Sequence, residues 1–341
     1  MRVSIKRILG ICVLLLTIGL GIFIYGGWQM FGDELKAIKS LEMIKDGVYT
    51  FEYKGDYGFK AFLEQGGAKT DAQMAEYIAG FLSKGYIRAG AETPEGGCST
   101  IASESLFCRN FDWNSSSHYA IVRTCPDDGY ASISTTGFAF LGMGEDWHPI
   151  AGMDGMVALA SVYVPLDGMN EKGLCVSDLV EIDGSTEVPD TEKADLTIVA
   201  AIRLVLDYAK DTDEAVKLLS QYDVFPSLNV AHHLAISDIN NHNVVVGWKN
   251  GQMRVTETDI VTNHCLAETH ESPLTGESVK RFTMLSERYA GFKSSEEGLQ
   301  ALKDASYQEE TLWSVIYDKK NLTANIYFDC RWDEPMSFSI E

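Results

Sequence analysis

Gly96-Gly97-Cys98-Ser99-Thr100-Ile101-Ala102-Ser103 and, after Glu104 and Ser105, Leu106-Phe107-Cys108-Arg109-Asn110-Phe111-Asp112-Trp113 are the stretch whose reading decides the fold. Cys98–Ser103 and Leu106–Trp113 are short strand-like runs, and the two-residue separation makes them a hairpin, although the turn lacks the Gly or Asn that such loops favour. The hairpin carries one cysteine near its start and an Arg and an Asp on its second arm.

Upstream, residues 32–97 read as a folded segment. Val48 to Tyr53 alternates as a strand, GDYGF and QGG mark turns, and Thr70 with Gln73 forms a capping box. The helix that follows sets Met74, Tyr77, Ile78, Phe81 and Leu82 on one face and ends at Gly85, whereas Arg88 to Gly97 has neither period and reads as an exposed connection. Downstream, strands are expected at Ala131–Thr135, Met156–Val164 and Leu174–Val180, then helices at Leu196–Tyr208 and Asp213–Gln221, the latter capped by Thr212. Strands return at His233–Ser237 and Val244–Trp248, with Asn250-Gly251 as the strongest hairpin turn. A helix at Glu277–Tyr289 and a strand pair at Leu312–Tyr317 and Ala324–Phe328 complete the chain. Strands on both sides of a central helical pair make an α+β layered domain.

With 341 residues, 45% of them hydrophobic, the chain can bury a substantial core. A net charge of -21 excludes a nucleic-acid partner, because phosphate binding needs a cationic stripe. Arg2, Lys6 and Arg7 precede an uncharged run from Ile8 to Trp28, long enough as a helix to cross a bilayer core of about 30 Å. Residues 1–31 therefore read as a cytoplasmic stub and a transmembrane anchor; the alternative is a cleaved signal peptide, for which the apolar run is long and a small-x-small cleavage site is missing. By the positive-inside rule the rest of the chain lies on the extracytoplasmic side of the cell membrane. The cysteines show no CxxC spacing and the histidines no HExxH, so neither a metal nor another cofactor is expected.

The Gly-Gly-Cys-Ser-Thr at 96–100 followed by Arg-Asn-Phe-Asp at 109–112 resembles the start of the mature chain in N-terminal-nucleophile (Ntn) hydrolases. The similarity is to the choloylglycine hydrolase and penicillin acyltransferase type, the linear amide C–N hydrolases. Asp167-Gly-Met-Asn-Glu-Lys-Gly-Leu174, Val261-Thr-Asn-His264, Ser278-Val-Lys-Arg-Phe282 and Leu312-Trp-Ser-Val-Ile-Tyr-Asp318 resemble the same family in order and spacing. The resemblance covers Cys98 to the C-terminus. It implies an αββα four-layer sandwich with two antiparallel sheets over residues 98–341, with 32–97 as a precursor segment removed from Cys98 by self-cleavage after Gly97.

The chemistry agrees with that implication. A thiol attacks only as thiolate, and an ordinary cysteine is mostly protonated at neutral pH. Cleavage would give Cys98 an α-amine able to take the thiol proton, so nucleophile and base arise together. From the resemblance, Arg109 holds thiolate or substrate, Asp112 fixes the α-amine, Asn263 donates to the oxyanion, and Arg281 lowers the pKa of the thiol or orients the network. Two departures stand out. Leu179 and Val180 occupy the place where many bile-salt enzymes carry an oxyanion-binding Asn, and Cys108 stands where the family commonly has Gly, either to pack or to pair with Cys98 on oxidation. Phe138, Phe140, Leu141 and Met143 are candidates to line an acyl pocket, with core packing as the alternative. The expected activity is cleavage of a linear amide in a small N-acyl substrate through an acyl-enzyme on Cys98. The alternatives are acyl transfer with the same nucleophile, a papain-like Cys98–His264 pair, or an unprocessed membrane-anchored binding domain.

Overall fold

The computed structural model describes residues 31–84, 96–113, 118–149, 152–182, 184–188, 191–249, 251–266, 273–307 and 310–340. The expected anchor and the linker around Arg88 lie outside the described residues, as does Asn250 of the expected hairpin turn. Among the described residues no helix is long and apolar enough to cross a membrane.

Residues 31–40 form helix α1. β1 (Glu42–Lys45), β2 (Val48–Lys54), α2 (Phe59–Glu64) and α3 (Asp71–Leu82) follow. The hairpin β3 (Gly96–Ala102) and β4 (Leu106–Trp113) comes next, then β5 (Tyr119–Cys125), β6 (Ser132–Gly137), α4 (Gly152–Leu159), β7 (Asp167–Asn170) and β8 (Cys175–Val180). β9 (Ala194–Thr197), α5 (Ile198–Tyr208), α6 (Thr212–Leu219) and β10 (Tyr222–Phe225) form the middle of the chain. β11 (His232–Ser237), β12 (Asn243–Lys249), β13 (Gln252–Glu257), β14 (Ile260–Val261), α7 (Pro273–Tyr289), α8 (Ser295–Ala305), β15 (Thr311–Asp318), β16 (Thr323–Phe328) and β17 (Met336–Ser339) complete it.

One sheet has nine strands in the order β1-β2-β5-β6-β7-β8-β11-β12-β13, and the other six in the order β14-β3-β4-β15-β16-β17. Their inner faces share one core, in which Phe107, Phe111, Trp313 and Tyr317 of the smaller sheet meet the larger one. The outer face of the smaller sheet buries Ile101, Leu106, Cys108 and Ile316 under Leu285 of α7 and Leu302 of α8. Helix α5, buried nearly all round, packs against β7 and β8. The result is four layers, α5–α6, nine strands, six strands, α7–α8, as expected. The smaller sheet is antiparallel throughout.

The larger sheet departs from the expectation at one joint, because β2 pairs with β5 in parallel, Val48 opposite Tyr119 through Lys54 opposite Cys125. A parallel pair needs a long crossover, and here the chain between the two strands passes through α2, α3 and the β3–β4 hairpin. β9 and β10 add a separate two-stranded parallel pair. Residues 32–84 are thus built into the same core: Tyr49, Phe51 and Tyr53 are buried, Tyr57 donates to Asp207 at 2.7 Å, and Asp71 accepts from Ser227 Oγ at 2.7 Å and Leu228 N at 2.9 Å.

Local differences have simple causes. The expected strand at Met156–Val164 is the end of α4 followed by a 3₁₀ turn over Ala160–Tyr163; Gly155, Ala158 and Leu159 are buried at helical spacing, a pattern that a short apolar run hides. The cap of α6 is Asp211, whose carboxylate accepts from Glu214 N at 2.9 Å, while Thr212 donates its hydroxyl to His242 O at 2.8 Å. Thr70 caps α3 as expected, although Gln73 reaches back to Lys69 N at 2.9 Å rather than to Thr70. Gly96 and Gly97, expected in the connection, belong to β3 and pair with Trp113 and Asp112.

Candidate active site

Cys98 sits in β3 opposite Phe111, and its side chain shares the inner face of the sheet with Arg109 and Phe111. β14, on the other side of β3, is only two residues long and pairs no further than Val261 opposite Thr100. The ladder therefore stops short of Cys98, and side chains fill the gap. Cys98 N donates to Asn263 Oδ1 at 2.9 Å, and Cys98 O accepts from Arg281 at 2.9 Å. Arg281, on α7, also donates to Asn263 Oδ1 at 2.8 Å and stacks over Tyr307 at 4.6 Å. Two donors converging on one oxygen fix the orientation of the Asn263 amide, whose nitrogen donates to Val180 O at 2.9 Å.

Arg109 is fully buried, 4.7 Å over the Phe111 ring. Its guanidinium donates to Leu166 O at 2.8 Å, Asp178 O at 2.7 Å and Asp167, and lies 3.6 Å from Cys98 Sγ. Asp167 also accepts from Trp313 Nε1 at 2.9 Å and Tyr317 OH at 2.6 Å. Burial pushes the Cys98 thiol up to about 11, with the Arg109 charge pulling the other way. In the continuous chain, where residue 98 has an amide and no amine, the thiol is therefore protonated at neutral pH.

Asp112 pairs with Gly97 on the strand. Thr311 donates to its Oδ1 at 2.6 Å and Arg281 stands 3.6 Å from Oδ2, which is buried and has no hydrogen bond among the described residues. Burial raises this carboxyl to about 7, against the lowering effect of Arg281 and Thr311. The structure thus brings Cys98, Arg109, Asp112, Asn263 and Arg281 to one place.

Other candidates are placed elsewhere. His264 Nδ1 bonds Thr262 Oγ1 at 3.0 Å and Ser278 Oγ at 2.9 Å, which engages it away from Cys98. Cys108 faces the α8 side of β4, opposite to Cys98, so the sheet separates the two thiols; both are free.

A cavity of about 590 Å³ reaches the neighbours of the Cys98 cluster, although Cys98 itself does not line it. Phe140, Leu141 and Met143 line it, as do Phe111, Leu166 and Asp178 next to Arg109. Phe138 does not; it is buried between Tyr49 and Trp147, with ring centroids 5.7 and 5.0 Å away. Helices α3 and α4 supply much of the wall, through Met74, Ile78, Leu82, Met153 and Met156. The wall is mostly apolar; its polar members are Ser83 and a connected set of Asp71, Ser227, His232 and Asp178. His232 bonds the Asp178 carboxylate through Nδ1 at 2.9 Å and Ser227 O through Nε2 at 3.0 Å. Both partners are acceptors, so both ring nitrogens carry protons. Burial alone would lower the His232 pKa, but the Asp178 carboxylate outweighs it and the net shift is upward.

Sequence reasoning left Asp167, Thr311 and the Asp178–His232 pair unassigned. Asp167 opens the Asp-Gly-Met-Asn-Glu-Lys-Gly-Leu run, which was the available signal; His232, far from Asp178 in sequence, had none.

Residues 100–331 match the family described as acyl-coenzyme A:6-aminopenicillanic acid acyl-transferase. Curated protein sequences gave no match. Among solved structures the chain is similar to penicillin V acylase from Agrobacterium tumefaciens, at 17% identity over 71% of this chain and 84% of that one, TM-score 0.48. It is also similar to two variants of conjugated bile acid hydrolase from Clostridium perfringens, at 15% and 14% identity, each over 71% of this chain and 92% of that one, TM-score 0.50. At such identities the likeness to the bile acid hydrolase variants is one of fold. The family match extends over most of the chain, and with the four-layer fold it places this protein in the acyl-coenzyme A:6-aminopenicillanic acid acyl-transferase family of Ntn hydrolases.

Proposed function

We propose that the protein cleaves a linear amide of an N-acyl substrate through an acyl-enzyme on Cys98, after self-cleavage between Gly97 and Cys98. The observation that carries this reading is the grip on Cys98: its main-chain N–H and C=O are held by Asn263 and Arg281, and its thiol lies against Arg109. Side chains from distant elements have no structural need to replace a strand ladder at one cysteine. They are suited to hold a residue that must become a chain end without moving.

Cleavage turns the Cys98 amide into an amine, for which Asn263 Oδ1 and the open Oδ2 of Asp112 are acceptors. The amine takes the thiol proton and the thiolate attacks the amide carbon. The C–N bond then breaks as the leaving amine collects that proton, leaving a thioester. Water adds to the thioester with the Cys98 amine as base, releasing the carboxylic acid and restoring the thiol. An amine in place of water would make the same thioester an acyl donor. The Asn263 nitrogen, now on Val180 O, becomes an oxyanion donor if that bond is exchanged when the carbonyl binds, a role worth about 3 kcal/mol in comparable sites. Residues 1–31 would anchor the domain to the cell membrane, with the active site on the extracytoplasmic side.

Intact-mass measurement of wild type beside Cys98→Ala tests the scheme. A fragment starting at Cys98 in the wild type alone is the expected result; an uncleaved wild type that still hydrolyses amides would overturn it.

A further inference from the structure

The cavity has a direction. Helix α3 lines it along its whole length, through Ala72, Ala75, Ala79 and Leu82 among others, spaced as one face of a helix. At about 1.5 Å per residue this wall is roughly 18 Å long. Its N-terminal end is tied to the nucleophile by a chain of contacts: Asp71 to Ser227 at 2.7 Å, Ser227 to His232 at 3.0 Å, His232 to Asp178 at 2.9 Å, Asp178 to Arg109 at 2.7 Å, and Arg109 to the Cys98 thiol at 3.6 Å. Its C-terminal end meets Phe31, which also lines the cavity and lies 5.6 Å under Lys84.

That far end is apolar and open. Met153, on the cavity wall, is 57% exposed, and Leu35, one helical turn beyond Phe31, is 44% exposed. α1 and α4 lie against each other there, close enough that a side chain on Gly155 would sit 2.8 Å from Ile38. Phe31 also follows within three positions the uncharged run that ends at Trp28. Exposed apolar side chains at the mouth of an apolar channel, next to a segment of bilayer-spanning length, suit contact with lipid rather than water.

Resting on the proposed amide cleavage at Cys98, we infer that the substrate is a membrane-borne lipid amide with a long, unbranched acyl chain. Its tail enters past Phe31, Leu35 and Met153 and lies along α3, with the amide carbonyl at Cys98. At roughly 1.3 Å per carbon of extended chain, from bonds of about 1.5 Å, the channel holds about fourteen carbons. Cleavage gives a fatty acid and a free amine headgroup.

The test uses full-length protein in phosphatidylcholine vesicles with N-butanoyl-, N-octanoyl- and N-palmitoylglycine as probes. N-palmitoylglycine is expected to be turned over with kcat/KM at least a hundredfold above N-butanoylglycine. Leu35→Glu is expected to slow palmitoyl turnover at least fivefold more than it slows butanoyl turnover. Ala79→Phe, which blocks the channel partway, is expected to move the preference from palmitoyl to octanoyl. Equal rates across chain lengths, or either variant slowing every substrate alike, would overturn the lipid assignment while amide cleavage at Cys98 stands. Cleaved protein inactive on all three probes would overturn the function reading and this inference with it.

Discussion

Arg109 and Asp167 form a fully buried ion pair, and the structure supports a quantitative expectation for breaking it. In Arg109→Met the Asp167 carboxylate keeps two neutral donors, Trp313 and Tyr317, but loses its cation; the Asp178 carbonyl loses the guanidinium, while the Leu166 carbonyl still accepts from Asp178 N at 2.9 Å. Removing one member of such a pair costs about 3–5 kcal/mol, and the stacking on Phe111 places this case near 4 kcal/mol. Asp167→Asn leaves the guanidinium with carbonyl acceptors only and is expected to cost about 3 kcal/mol. The double variant removes both charges but still loses the stacking on Phe111 and the bond to the Asp178 carbonyl, so its total is near about 3 kcal/mol, and against the two single costs the coupling is about 4 kcal/mol. Urea unfolding of the four proteins in one detergent solution measures this directly. Costs that add to within about 0.5 kcal/mol would refute the argument, because independent effects require that the two charges do not hold each other. Thiol alkylation gives a second readout. Arg109 lowers the Cys98 pKa, so Cys98→Ala-controlled labelling at pH 8 should slow in Arg109→Met and be restored in part by Arg109→Lys.

Three further outcomes follow from single positions. Gly67 has φ +71°, and an added Cβ would lie 1.8 Å from Asp195 O, so Gly67→Ala should cost about 3 kcal/mol or more from left-handed backbone and overpacking together, read as a lower unfolding midpoint. The Asp112 carboxyl, held up to about 7 by burial, binds a proton in the folded state that the unfolded chain has already lost. Its contribution to stability is therefore full below about pH 4 and declines as pH rises toward 7. Asp112→Asn should flatten that decline, and identical slopes in wild type and variant between pH 4.5 and 7 would contradict it. Asp71→Ala removes two bonds, to Ser227 and Leu228, that join α3 to the later part of the chain. After cleavage it should raise the dissociation of residues 1–97 from 98–341 about a hundredfold or more, measured by size exclusion, since each hydrogen bond to a charged group contributes roughly 1.5–3 kcal/mol.

Much was legible in the sequence because it is carried by local pattern. The hairpin of β3 and β4 follows from two short runs and a two-residue gap, the cap of α3 from Thr70 and Gln73, and α5 from an apolar stretch too long for a strand. Cys98 and its four candidate companions were named by resemblance, motif by motif. β5 was missed and Met156–Val164 was misread because short apolar segments have no decisive period; α8 was missed although Ser294 and Glu297 mark its start and Ala301, Leu302 and Ala305 its buried face.

The sequence by itself determined the β3–β4 hairpin, α3 and α5, the net negative charge, and which cysteine carries a partner set in the family pattern. Tertiary structure decided what surrounds that cysteine. A two-residue β14 ends the ladder just before Cys98, and only then do Asn263 and Arg281 become its main-chain partners. The parallel join of β2 to β5 makes the segment before Cys98 a wall of the cavity, and Asp178 meets His232 only because β8 and β11 are neighbours. These are contacts between residues far apart in the chain, set by which strand lies next to which. No local propensity encodes them, since each depends on the burial of all the others.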